Sequence, residues 1–172
     1  MKESIGTVYW ITGLSGAGKT TLGTLLYKKL KQQNSAVLLD GDALRQIYGD
    51  DIGYDTEDRR RMAMRNAKLC KFLALQGIDV ICCTIGMFDA VRAWNREEIE
   101  QYCEIYLKVK PEILCQRDQK GLYSGVRNGK LKNVMGMDLE FEEPKHPDLV
   151  VENNGEETPE QVLGRILQAI RR

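Results

Sequence analysis

The chain has 172 residues, 42% hydrophobic and 29% charged, with 25 basic residues balanced by 25 acidic ones. That length fits one domain, 1–172, with a single sizeable core, and the composition excludes a disordered chain. Zero net charge gives no global pull toward polymeric nucleic acid or an anionic membrane surface, and no apolar run approaches the length of a membrane span.

The elements alternate. Residues 7–12 (TVYWIT) form a short apolar, β-branched and aromatic strand that stops at Gly13. A helix is predicted from about Thr20 to Gln33, with Leu22, Leu25, Leu26 and Leu30 on one face. Residues 36–40 read as a second buried strand, closed by Gly41. A long helix follows from Thr56 to Gln76, with Gly77 as its C-cap. Residues 79–84 are a third strand, 89–101 a charged helix and 104–109 a fourth strand. Pro111 suits the first position of a short helix. From 118 to 147 the pattern becomes irregular, basic and glycine-rich, which predicts a lid. Residues 148–151 read as the last strand. Thr158, Pro159 and Gln161 then give an N-cap, a first-turn proline and a capping box for a final helix buried along Val162, Ile166 and Ala169 or Ile170. Continuous apolar strands alternating with helices predict an α/β fold of the P-loop NTPase type: a parallel sheet covered by helices on both faces, with a mobile lid.

Five cysteines (Cys70, Cys82, Cys83, Cys103 and Cys115) form no C-x-x-C pair, and His146 is the one histidine, so no zinc site is expected. The odd number, apolar neighbours and lack of a signal peptide suit reduced thiols in a cytoplasmic protein.

Residues Gly13, Leu14, Ser15, Gly16, Ala17, Gly18, Lys19 and Thr20 match G-x-x-x-x-G-K-[ST] between a predicted strand and a predicted helix. Such a loop turns successive backbone N–H groups toward phosphate oxygens, and the helix N-terminus adds a favourable dipole. Lys19 suits the β- and γ-phosphates of ATP, and the Thr20 hydroxyl suits Mg²⁺. Asp40 and Asp42 flank Gly41 at the carboxyl end of the second strand, where open parallel sheets bind ligands. Two carboxylates there divide two tasks: one holds a Mg²⁺-bound water and the other accepts a hydrogen bond from an acceptor hydroxyl. Arg59 begins a helix where a cation opposes the dipole, which predicts a compensating anion, and it shares a face with Met62 and Asn66. Arg60 and Arg61 are assigned to solvent or lid contacts. Where the irregular segment begins, Arg117 and Lys120 are cations that can close over phosphates and exclude water with the lid.

In combination these segments resemble the adenylylsulfate kinase family. The likeness runs through the P-loop with Thr21, Leu39 to Arg45, Asp51 to Tyr54, Asp58-Arg59, Arg117 to Tyr123, Lys132-Asn133 and Glu143-Pro144, and so covers nearly the whole chain. The resemblance implies transfer of phosphate from ATP, with Mg²⁺, to the 3′-hydroxyl of adenylylsulfate by an enzyme that is often a homodimer. It places Asp42, Arg45, Tyr54, Arg59, Ile85, Lys120, Asn133 and Val134 around a small anionic nucleotide, Asp40 by the metal and Arg117 near the ATP base. Departures fall in the acceptor pocket: Met62 replaces a usual Asn, Gly86-Met87 a usual Ser-Pro, Asp89 a basic or polar residue, and Val134 a base-stacking Phe. A second acceptor is therefore carried, cytidine diphosphoramidate of polysaccharide modification, beside a third reading as a non-catalytic nucleotide-binding subunit or switch.

Overall fold

The computed structural model describes residues 5–49, 51–118 and 120–170. Its strands are β1 (Val8–Thr12), β2 (Ala36–Asp40), β3 (Asp79–Thr84), β4 (Tyr102–Lys108) and β5 (Leu149–Glu152), paired in parallel in the order β2-β3-β1-β4-β5. Among the described residues the helices are α1 (Lys19–Leu30), α2 (Gly41–Tyr48), α3 (Thr56–Ala74), α4 (Asp89–Glu98), α5 (Pro111–Arg117), α6 (Leu122–Arg127) and α7 (Pro159–Ile170).

The sheet is apolar on both faces because alternate side chains serve different cores. Val8, Trp10, Val80 and Cys82 pack with Ala63, Ala67 and Cys70 of α3 and Val91 of α4. Tyr9, Ile11, Ile81 and Cys83 pack with Leu22 and Leu26 of α1 and Val162 and Ile166 of α7. Gly23 lets α1 lie close to the sheet: a Cβ there would sit 2.1 Å from Cys83 Sγ. The final helix is capped as its sequence predicts, with Thr158 N–H donating to Gln161 Oε1 (2.8 Å) and Gln161 N–H to Thr158 Oγ1 (3.3 Å). Ala169, a candidate for its buried stripe, is exposed, and the partly buried Ile170 completes that stripe.

Two elements depart from the sequence expectation. Residues 41–48 form α2 rather than a loop, because Asp40 is its N-cap and accepts from the N–H groups of Asp42 (3.0 Å) and Ala43 (3.3 Å). The predicted lid contains α6, seeded by Asp118, whose carboxylate accepts from Tyr123 N–H (2.9 Å) and Ser124 N–H (3.0 Å). Gln119, between Asp118 and Lys120 in that segment, lies outside the described residues.

Register sets the functional edge. Thr12 pairs with Thr84 and Tyr106, and Asp40 with Cys83, so the loops after β1, β2 and β3 leave the sheet side by side. With β1 in the middle, this is the carboxyl edge where a parallel sheet opens to ligands.

Candidate active site

The P-loop leaves β1 and enters α1 through glycines at positive φ, with Gly16 at 81° and Gly18 at 94° as N-cap of α1. Its outer side is held from three directions. Tyr123 of α6 donates its hydroxyl to Ser15 O at 2.7 Å. Asn153, just past β5, donates to Ala17 O at 2.8 Å. Arg117 spans Gly16 O (3.1 Å) and Asn153 O (2.8 Å). The Arg117 guanidinium is thus bonded to P-loop backbone, and any contact with an ATP base is left to its face. These ties fix the loop before phosphate arrives, which is preorganisation of an anion cradle.

Lys19 lies across the loop and donates to Leu14 O at 2.8 Å. Burial lowers its pKa to about 8, and Lys120 opposes its charge further, while Cys83, Asp42 and Asp40 favour it. A polyphosphate is the kind of anion that restores a full charge there. Cys83 beneath it is an inert thiol, pushed up to about 12 by burial.

Thr20 donates its hydroxyl to Asp40 Oδ2 at 2.7 Å, while Asp40 Oδ1 caps α2. Two hard oxygens, one per side chain, therefore meet at the foot of the P-loop, a donor set that fits Mg²⁺ completed by phosphate and water. Among the described residues no cluster of three or more His, Cys, Asp or Glu side chains offers an all-protein metal cage. Asp42, in the first turn of α2, forms an ion pair with Lys120 of the lid. It faces the same cleft as Lys19 and Thr20.

The acceptor side is built by a cationic corner. Arg45 donates to Ile52 O (2.9 Å) and Gly53 O (2.8 Å), which folds the 51–54 loop so that Tyr54 lies under its guanidinium at 4.3 Å. Arg59 donates to Tyr54 O (2.9 Å) and to Asn133 O in the lid (2.6 Å). Burial lowers the Arg59 pKa, and the neighbouring Arg45 charge lowers it further, which marks a place that favours an anion. Arg60 and Arg61 instead pair with Glu57 (3.1 Å) and Asp58 (3.2 Å) on the exposed helix face, so local carboxylates answer the helix dipole there.

One cleft gathers Ser15, Gly16, Gly18, Lys19, Thr20, Thr21, Asp40, Asp42, Arg45, Arg59, Met62, Ile85, Gly86 and Lys120. The remaining predicted residues lie outside its lining. Gly13 and Ala17 shape the P-loop, Arg117 braces it, and Tyr54 stands 56% exposed beside Arg45 and Arg59. Asn133 and Val134 are turned by Asp138, whose carboxylate accepts from both their N–H groups at 2.7 Å. Met135 joins Lys120 as a lid residue that lines the cleft. Sequence reasoning missed Met135 and Thr84, and it set Asn66 on the Arg59 face without giving it a role. A fully buried polar side chain on α3 was the signal for Asn66, and it emerges only once packing is known.

The lid is also tied down beyond the cleft. Glu143 accepts from Tyr106 Oη (3.1 Å) and pairs with Lys108 (2.8 Å) on β4. Glu142 accepts from Asp89 N–H at the start of α4, and Lys145 pairs with Asp89 at 3.1 Å.

The family model described as adenylylsulphate kinase matches residues 5–152. The cytidine diphosphoramidate kinase of Campylobacter jejuni is 43% identical over 164 residues, 95% of each chain. A probable adenylyl-sulfate kinase of Archaeoglobus fulgidus is 40% identical, over 86% of this chain and 96% of its own. Among solved structures, the Mycobacterium tuberculosis APS kinase in complex with AMPPNP and APS superposes with a TM-score of 0.90 at 28% identity, covering 98% of this chain and 99% of that one.

Proposed function

The chain belongs to the adenylylsulphate kinase family, and from that premise we propose that it moves the γ-phosphate of ATP to the 3′-hydroxyl of an activated nucleotide. The observation that carries the reading is the Asp42–Lys120 pair facing Lys19 and Thr20 across one cleft. A pure nucleotide binder or switch needs a P-loop but has no use for a carboxylate and a lid cation opposite it.

In this reading the P-loop N–H groups and Lys19 hold the β- and γ-phosphates. Thr20 and Asp40 would hold Mg²⁺, which supplies charge neutralisation on the phosphates. Asp42 accepts the hydrogen bond of the acceptor hydroxyl and takes its proton as the new P–O bond forms and the bond from the γ-phosphorus to the bridging oxygen breaks, with ADP leaving. Lys120 lies beside that proton and balances charge on the transferring group. Arg45 and Arg59 attract the acceptor's anionic groups, and Tyr54 offers its base an exposed aromatic face. The lid, tied at Ser15, Arg59 and Asp89, keeps water from the γ-phosphate. A homodimer, as the resemblance implies, is part of the proposal and is read by light scattering.

Adenylylsulfate is the acceptor that the family description names, and the Archaeoglobus fulgidus relative is a probable adenylyl-sulfate kinase. Cytidine diphosphoramidate is a second reading, favoured by the 43% identical relative and by the loss of ring and polar groups at Val134, Met62 and Gly86. The test is coupled ADP release, with Mg²⁺, against adenylylsulfate, cytidine diphosphoramidate, AMP and CMP. Turnover at least tenfold faster with one of the activated nucleotides than with AMP or CMP supports the proposal. Equal turnover with all four, or none with any, sinks it.

A further inference from the structure

The least exposed polar residue that lines the cleft is Asn66. It sits on α3, two turns beyond Arg59 and one beyond Met62, about 10 Å along the helix axis from the arginine. Its side chain is 0% exposed, and neither Nδ2 nor Oδ1 has a hydrogen-bond partner, yet the residue lines the same cleft as Asp42 and Lys19. Leaving both halves of a buried amide unpaired is costly, and folded proteins rarely do so. Apolar side chains share the lining of that cleft, Met62, Ala63, Phe88 and Met135 among them. The two methionines are unbranched and can yield to a ligand without moving backbone.

The orientation of a bound nucleotide follows from what each end of the cleft offers. Tyr54 at the mouth has an exposed ring, whereas Phe88 inside is 4% exposed and packed into the core, so the base has its platform outside. With the ribose hydroxyl at Asp42 and the anionic linkage at Arg45 and Arg59, the activated terminal group points inward along α3.

We infer that the Asn66 amide reads that terminal group, and that it selects one carrying a hydrogen-bond donor beside an acceptor on the same tetrahedral centre. A phosphoramidate satisfies both halves of the amide: its P–NH₂ donates to Oδ1 and a P–O oxygen accepts from Nδ2. A sulfate offers acceptors only and leaves Oδ1 unpaired. The inference rests on the 3′-hydroxyl kinase reading above and specifies its acceptor. Asn66 acts on selectivity, because it belongs to α3 and not to the P-loop or to the Asp42–Lys120 pair.

The experiment uses the full chain and two acceptors that differ at one terminal atom, cytidine diphosphoramidate and cytidine diphosphate. The wild-type enzyme is expected to favour the phosphoramidate in kcat/KM by roughly tenfold or more, the consequence of leaving one buried acceptor unpaired. Asn66→Leu and the smaller Asn66→Ala should both bring that ratio toward one, with the KM for ATP unchanged. Asn66→Leu should also keep or raise Tm, since it removes an unpaired buried amide. An Asn66 of purely structural value would show the reverse: a lower Tm with the acceptor ratio intact. That result overturns the inference, as does a wild-type preference for adenylylsulfate or cytidine diphosphate, while either leaves the kinase reading standing. Absence of acceptor-dependent turnover in the wild type overturns the kinase reading itself, and the inference with it.

Discussion

Replacing Asp42 with asparagine separates catalysis from stability. Asp42 and Lys120 form an ion pair whose side chains are 70% and 54% exposed. Pairs that exposed contribute about 0–1 kcal/mol, so Asp42→Asn should shift Tm by no more than about 4 °C in a chain of this size. The carboxamide keeps the shape and cannot take the proton of an attacking hydroxyl. Removing a positioned general base costs about a hundredfold in kcat, or roughly 2.7 kcal/mol of barrier. The catalytic loss thus exceeds the stability loss by more than a kilocalorie. Because Asp42 lies on α2 rather than in the P-loop, the KM for ATP should stay within about twofold. Coupled ADP release at saturating ATP and acceptor gives kcat, and a thermal melt gives Tm. A variant that retains a third or more of wild-type kcat would refute the assignment of Asp42 as base. One that loses activity in step with a large drop in Tm would show the pair to be structural.

Lys19, with its pKa lowered to about 8 against an ordinary 10.5, binds fewer protons folded than unfolded between those values. Apo-protein stability should therefore rise with pH across that window, and ATP binding above about pH 8 should take up a proton, raising the KM for ATP. Titration calorimetry in two buffers of different ionisation heat checks this, and a KM flat from pH 7 to 9.5 would contradict it. Gly86→Ser, which restores the residue usual in the family, meets a φ of 41° and a Cβ 2.7 Å from Trp10 Cζ2. It should cost about 2 kcal/mol of stability, read as a lower denaturant midpoint, and an unchanged midpoint would show that Trp10 gives way freely. Arg59→Ala removes the bond to Asn133 O. It should raise the acceptor KM tenfold or more and speed proteolysis of the 130–140 segment, whereas wild-type values for both would detach Arg59 from acceptor and lid.

The P-loop and the strand–helix alternation were legible because their signals are local. A fixed glycine-lysine spacing, runs of β-branched residues and a capping box act within a few residues of chain. Helix α2 was hidden because Gly41 follows the strand directly and reads as a stop. The N-cap Asp40 outweighs it by bonding two N–H groups. The lid was legible as irregular, but not its anchors. Tyr123 on Ser15 O, Arg117 on Gly16 O and Glu143 on Tyr106 join residues far apart in sequence, and no periodicity announces such pairs. The acceptor pocket divided the same way. Arg59 stood out as a cation at a helix start and Arg45 came through the family resemblance, whereas Met135 lines the cleft in place of Val134 because the Asp138 turn fixes which residues face inward.

The central claim is that phosphate lands on the 3′-hydroxyl, held by Asp42 opposite the P-loop. It is tested most directly with the 3′-deoxy analogue of whichever activated nucleotide the enzyme prefers. The account predicts binding of the analogue as a competitive inhibitor against the acceptor, with no ADP release above the hydrolytic background. Turnover of the 3′-deoxy compound at a rate near that of the parent nucleotide would contradict it and move the site of transfer elsewhere on the acceptor.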